Sequence, residues 1–251
     1  MPLASLALSR PCPVVDESWT ARADALDWGR IEADLNTAGN ALVGPLLTAA
    51  DCAALTALYP QDAPFRSRVV MARHGFGKGE YKYFAYPLPA PIAGLRGALY
   101  ERLAPIANRW NDRLGVSVRY PADHAAFLDR CRAAGQTRPT PLLLKYGVGD
   151  YNCLHQDLYG ETVFPLQAAI LLSEPERDFR GGDFVLTEQR PRQQSRAEVV
   201  PLRQGWAVIF AVSHRPTQGA RGTLRVTHRH GVSRLLAGER FTTGIIFHDA
   251  P

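Results

Sequence analysis

Two groups that could bind one ion stand two residues apart in LLLKYGVGDYNCLHQDLYG, residues 142–160: the imidazole of His155 and the carboxylate of Asp157. On an extended strand, residues i and i+2 point to one side, so this pair directs a ring nitrogen and a carboxylate oxygen at one point. A metal ion needs that convergence. A His-x-Asp pair also arises at strand ends with no ion involved, so a third donor decides the matter. The C-terminal region offers His228, His230 and His248. A histidine on a later strand would close a facial set of two imidazoles and one carboxylate, which leaves open positions on an octahedral ion and suits non-haem Fe(II) with a chelating cosubstrate and oxygen. Ten residues after His230 comes Arg240. A strand beginning there would carry its guanidinium into the same cavity, and a buried arginine calls for an anion, a bidentate carboxylate above all. An acidic small molecule bound at the metal is the corollary.

The elements that must position these residues fall into two textures. Before residue 139 the chain reads as mainly helical, over 28–39, 46–60 (with Thr48 as cap and Asp51 three residues on), 90–115 and 124–133. In the third of these Ile92, Leu95, Leu99, Leu103, Ile106 and Trp110 recur at three and four, so one face is apolar and should lie across a sheet. NALVGPLL, between the first two, reads as a short strand. From residue 139 short β-like runs alternate with turn signals (PLLLKY, FPLQAAILLS, GDFVLTE, AEVVPL, GWAVIFAV, TLRVTHR, RFTTGIIFH). Regularly spaced short strands imply a sandwich or jelly roll rather than βαβ units. The expected fold is α+β, a jelly roll over 139–251 with helices packed on one face, and a mainly helical part over 1–138 sharing its core.

Composition sets outer limits. The 251 residues are enough to bury a sizeable core, and 46% hydrophobic with 21% charged residues excludes a disordered chain. No apolar run is long enough for a membrane span, and the N-terminal residues read as a loose arm rather than a signal peptide. Cys12, Cys52, Cys131 and Cys153 are scattered without a Cys-x-x-Cys, which predicts free thiols and a cytoplasmic setting. The net charge of +5 points mildly toward a polyanionic partner.

YGVGDYNCLHQD, residues 146–157, resembles the Tyr-x-x-Gly-(x5)-His-x-Asp signature of the Fe(II)/2-oxoglutarate-dependent dioxygenases. HGVSRLLAGERF, residues 230–241, resembles their His-(x9)-Arg/Lys signature in its prolyl-hydroxylase-like form, and GGDFVLTE, residues 181–188, is similar to the turn and strand between the two. The likeness spans residues 142–247. It implies Fe(II), 2-oxoglutarate as cosubstrate and O2, with decarboxylation to succinate coupled to hydroxylation of a C–H bond. Carried over residue by residue, it makes His155, Asp157 and His230 the iron ligands, Arg240 the partner of the distal carboxylate of 2-oxoglutarate, and Tyr146 a hydrogen-bonding group for that carboxylate. His228, twelve residues before Arg240, fits the spacing less well than His230. His248 reads as a structural group near the site, and His74, His124 and His214 read as surface or loop residues.

The substrate must be read elsewhere, since one scaffold hosts many functions. Residues 65–89 interleave Arg66, Arg68, Arg73, His74, Lys78 and Lys82 with Phe76, Tyr81, Tyr83, Phe84 and Tyr86, a mixture that suits phosphates and stacked bases, and Gly75, Gly77 and Gly79 suggest a flexible loop. The alternative is a hairpin whose aromatics pack into the core. Arg215, Arg221, Arg225, Arg229 and Arg234 form a second basic cluster, which would favour an anionic substrate if it lines the cavity mouth. The chain as a whole resembles a bacterial family of 2-oxoglutarate/Fe(II) oxygenases of oxidative demethylation of damaged DNA, akin in function to AlkB-type repair enzymes. That resemblance implies alkylated DNA as substrate. A prolyl-type protein or peptide hydroxylase and a non-catalytic metal-binding jelly roll are the alternatives.

Overall fold

Alternation of side chains along the central strands decides the architecture. The structure is a computed structural model that describes residues 18–220 and 222–251; the expected N-terminal arm, Cys12 and Arg221 lie outside the described residues. Its helices are α1 (Trp19–Asp24), α2 (Trp28–Ala38), α3 (Ala49–Thr56), α4 (Ala90–Leu114) and α5 (His124–Ala133). Its strands are β1 (Asn40–Val43), β2 (Phe65–Val70), β3 (Gly77–Lys78), β4 (Glu80–Phe84), β5 (Leu142–Tyr146), β6 (Tyr151–His155), β7 (Leu166–Leu171), β8 (Phe179–Gly181), β9 (Phe184–Gln189), β10 (Arg196–Val200), β11 (Ala207–Ala211), β12 (His214–Gly219), β13 (Gly222–Val232), β14 (Leu235–Gly238) and β15 (Arg240–Ile245).

A seven-stranded sheet runs β1-β11-β7-β15-β5-β4-β2 and faces a six-stranded sheet, β10-β9-β13-β6-β3 with β12 on β13. Every strand pairing in them is antiparallel. This is the expected α+β jelly roll. Along β7, Leu166, Ala168 and Ile170 join the helices in one cluster, while Ala169 and Leu171 join the cluster between the sheets. On β11 the division is the same, with Ala207, Ile209 and Ala211 outward and Val208 and Phe210 inward. Both faces of the large sheet are therefore covered, and its central strands are apolar without interruption.

Helix α4 ends at Gly115, and its apolar stripe is buried as the spacing predicts. The capping box at Thr48 and Asp51 forms, but α3 covers only part of the helix expected over 46–60, because Leu46 and Leu47 instead donate backbone hydrogen bonds to Gly205. Helix α2 stops at Gly39, whose φ is +80° and whose Cβ, were there one, would lie 2.5 Å from the His228 ring. No described helix is long and apolar enough to cross a membrane.

The stretch over 65–89 differs from expectation. Most of it is a hairpin, β2 and β4, that adds two strands to the edge of the large sheet. In EYKYF the period is two: Tyr81 and Tyr83 face the space between the sheets, while Phe84 joins the helix-side core. Lys82 lies over the Tyr59 and Phe65 rings. Most of the aromatics are packed; Phe76, in the turn between the strands, and Tyr86, after β4, remain exposed. His124 is another departure: it is buried, not at the surface, and its Nε2 sits 2.9 Å from the carbonyl of Phe247, with burial pushing its pKa down to about 4.

Candidate metal centre

His155 is the last residue of β6, and His230 lies opposite it on β13 in the antiparallel register. Side chains of opposed residues share a face of the sheet, so the two rings emerge side by side, with centroids 4.2 Å apart. Asp157 lies two residues past the strand, and its carboxylate reaches the same point. Its Oδ1 is 3.5 Å from His155 Nε2 and its Oδ2 is 3.3 Å from His230 Nε2. All three potential ligand atoms fall within 4.8 Å of one another, a set of donors with the spacing of a metal site. The other ring nitrogen of His155, Nδ1, is 2.8 Å from the carbonyl of Cys153; donating there, it leaves Nε2 as the lone pair facing the centre. The His230 ring is packed instead, with Phe210 at 4.6 Å and Phe184 at 5.9 Å between centroids.

Charge at this point is set by competition. Burial alone would raise the Asp157 carboxyl, but the His155 and His230 rings beside it outweigh burial and hold the carboxyl well below the usual carboxylate range. Burial would lower His155, and the Asp157 carboxylate raises it on balance; for His230 burial prevails and the shift is downward. The carboxylate is thus ionised and ready to ligate a cation. Two residues not singled out in the sequence fix its orientation: the Tyr159 hydroxyl donates to Oδ1 at 2.8 Å and Gln167 Nε2 donates to Oδ2 at 2.8 Å. Tyr83 donates in turn to the Tyr159 hydroxyl at 3.1 Å. Gln167 had a signal, being a lone amide inside the apolar run LQAAIL, where a polar side chain needs a reason.

These groups line a cavity of about 410 Å³ between the sheets, which also receives Tyr146, Arg240 and Thr242 from the large sheet. Arg240 and Tyr146 are opposite each other across β15 and β5, which directs both inward. Arg240 is fully buried and donates through Nη1 to Thr242 at 2.5 Å, while its Nε and the Tyr146 hydroxyl have no hydrogen-bond partner among the described residues. Burial pushes its pKa down to about 10, so it stays cationic at neutral pH. A buried guanidinium without an acid partner beside an unpaired hydroxyl at the inner end of the cavity fits a small carboxylate. The donor set and this pair therefore fit an Fe(II) ion and 2-oxoglutarate together.

His228 is not part of the centre. Although it is two residues from His230 on β13, its ring is engaged elsewhere: its Nε2 accepts from Arg215 Nε at 3.0 Å. The second basic cluster likewise does not ring the cavity. Arg215 is buried, pairs with Glu188 and donates to the carbonyls of Asn36 and Thr37 at the end of α2. None of the described arginines of that cluster lines the cavity, and Arg229 is exposed while His230, its neighbour on the strand, is buried. His248 is buried near the site, 3.3 Å from the Phe164 amide through Nδ1, and Tyr159 packs beside it at 6.2 Å. His74 is exposed and His214 half-buried.

Residues 79–250 match the model of a protein family described as "Oxygenase, catalysing oxidative methylation of damaged DNA". A Mycobacterium tuberculosis (strain ATCC 25618 / H37Rv) relative, "Uncharacterized protein Rv2227", is 50% identical over 167 residues, covering 66% of this chain and 72% of the relative. The fold is shared with a Burkholderia pseudomallei oxidoreductase of the 2OG-Fe(II) oxygenase family (16% identity, TM-score 0.51, covering 89% of this chain and 92% of that one). A Trichoplax adhaerens prolyl hydroxylase, solved with a hypoxia inducible factor peptide fragment, shares it too (15% identity, TM-score 0.51, 93% of this chain and 94% of that one). A chain whose family model covers its jelly roll, and whose cavity holds a His-Asp-His set facing a buried arginine, belongs to this oxygenase family and is an Fe(II)- and 2-oxoglutarate-dependent dioxygenase.

Proposed function

We propose that the protein removes alkyl groups from damaged DNA bases by oxidation. One observation carries the reading: the family that matches residues 79–250 is described by oxygenase chemistry on damaged DNA. When bound, Fe(II) with 2-oxoglutarate and O2 supplies the hydroxylation of a C–H bond, with release of succinate and CO2. On an N-methyl group the product is a hemiaminal, which breaks its C–N bond to release formaldehyde and return the N–H of the base. An oxygenase acting on a methylated base therefore takes the methyl group off.

Within this reading His155, Asp157 and His230 hold the metal. Arg240 pairs with the distal carboxylate of 2-oxoglutarate and Tyr146 donates a hydrogen bond to it, which satisfies two of the orphaned groups of the cavity. The apolar walls, among them Leu144, Ala169 and Phe210, exclude water from the reacting centre. Since the substrate base must enter a cavity between two sheets, it is taken from a single strand or flipped from a duplex. The net charge of +5 supports a polyanionic substrate, and the free thiols of Cys52, Cys131 and Cys153 support a cytoplasmic setting.

Tyr159 acts on the metal only through Asp157. Tyr159→Phe is expected to weaken Mn(II) binding by about tenfold, the lower end of what loss of an outer hydrogen bond to a metal ligand costs. Calorimetry on the purified variant checks it, and unchanged affinity would remove Tyr159 from the account.

Single-stranded oligonucleotides carrying one N-methylated base, incubated with the protein, Fe(II), ascorbate and 2-oxoglutarate, test the function. Formaldehyde and succinate should appear in equal amounts. The spacing of nine residues between His230 and Arg240 favours a second reading, peptidyl-proline hydroxylation. Hydroxyproline from a proline-rich peptide, with no product from any oligonucleotide, would replace the first reading by the second.

A further inference from the structure

The turn between β2 and β4 carries Phe76, one of two aromatics of the basic stretch, with Tyr86, that stay largely exposed. Phe76, at its tip, leaves 49% of its surface in solvent, yet its position is held from several sides. Its amide donates to the Met71 carbonyl at 3.2 Å, and its carbonyl accepts from the Cys153 amide at 2.9 Å. Next to it β3 pairs with β6, Gly77 opposite Asn152 and Lys78 opposite Tyr151. The approach is so close that a Cβ on Gly77 would lie 2.5 Å from the Tyr151 carbonyl, and its φ of +130° also calls for glycine. Phe76 is therefore registered, through backbone hydrogen bonds, on the strand that ends in His155.

Leaving a phenyl ring half in water forgoes part of the roughly 1.5–3 kcal/mol its burial would contribute. The fold maintains that exposure at one place, the cavity that also holds His155, Asp157, His230 and Arg240. The ring is stacked on His74, centroids 5.3 Å apart and planes 22° from parallel. Leu154, 47% exposed on β6, lines the same opening. Arg73 and His74 are exposed beside it. A flat apolar face backed by a second ring, next to an arginine, matches a nucleobase carried on a phosphate backbone.

We propose that Phe76 is the specificity-determining residue that stacks on the target nucleobase as it enters the cavity. The inference rests on the DNA-dealkylating reading and adds to it the residue that recognises the base. Base–aromatic stacking contributes about 1–3 kcal/mol per base, so Phe76→Ala should raise KM for a methylated single-stranded oligonucleotide by about 5- to 150-fold with a smaller change in kcat. Phe76→Trp, which offers a larger face, should keep KM near the wild-type value. Equal KM values for wild type and Phe76→Ala on an oligonucleotide that both demethylate would overturn the stacking role and leave the enzyme's function standing. A Phe76→Trp variant as impaired as Phe76→Ala would overturn it too, since stacking would then not be the property that matters. If the wild type demethylates no oligonucleotide, the functional reading itself fails and the inference falls with it.

Discussion

Asp157→Ala is expected to abolish tight binding of Fe(II) or Mn(II) and to lower turnover of 2-oxoglutarate by more than about 100-fold, beyond the range expected for loss of an outer partner alone. The carboxylate is the single anionic donor of the three. Without it His155 and His230, ring centroids 4.2 Å apart, are left to hold a divalent cation with neutral nitrogens only. The loss is local, since the donors from Tyr159 and Gln167 sit at the cavity wall and not in the helix-side core. Anaerobic calorimetry with Mn(II), beside a thermal melt, separates loss of metal from loss of fold. A variant that melts as the wild type does and binds metal equally well contradicts the ligand assignment.

The largest stability effect is expected far from the metal. Arg96, on α4, is 1% exposed and reaches Asp249, also 1% exposed, at 2.8 Å. The same guanidinium donates to the carbonyls of Ile246, Phe247 and His248 at 2.8, 3.2 and 3.1 Å, and so ties the segment after β15 to the helix layer. Arg96→Ala leaves a buried carboxylate with Tyr86 as its remaining side-chain donor and strips three carbonyls of a partner. Breaking a buried pair from one side costs about 3–5 kcal/mol. Urea unfolding should show a loss of that size, and Arg96→Met/Asp249→Asn should recover part of it, because no charge is then stranded. A loss no greater than the ~1 kcal/mol of a surface pair would show that the segment is held by packing alone.

Period and spacing made much of this molecule legible. The three-and-four recurrence that predicts α4 holds because that helix has a single apolar face and a sheet to lie on. The apolar runs of β7 and β11 identify central strands because helices cover one side of the large sheet and the smaller sheet the other. The His-x-Asp spacing brings its two side chains together, 3.5 Å apart, even though the paired part of β6 ends at His155.

What escaped the sequence are the partners that burial creates across long separations. Arg96 reads as one more helical cation until its partner, 153 positions away, is seen beside it. His124 looks like a helix-start residue on the surface because nothing near it in sequence reveals the Phe247 carbonyl. Arg215 reads as part of a basic face, yet its acid, Glu188, comes from another strand. In EYKYF the charges of Glu80 and Lys82 conceal a period of two that places Tyr81 and Tyr83 on the cavity side. The Tyr83–Tyr159–Asp157 chain exists only once β4 has joined the large sheet.

The central claim is that His155, Asp157 and His230 hold iron while Arg240 receives the far carboxylate of 2-oxoglutarate. Its most direct test is an anaerobic titration of the protein and Fe(II) with 2-oxoglutarate, followed by visible absorption. A metal-to-ligand charge-transfer band is predicted for the wild type, absent in His155→Ala and reached only at much higher 2-oxoglutarate in Arg240→Ala. Iron bound by the wild type with no such band, or an Arg240→Ala titration that overlays the wild type, would contradict it.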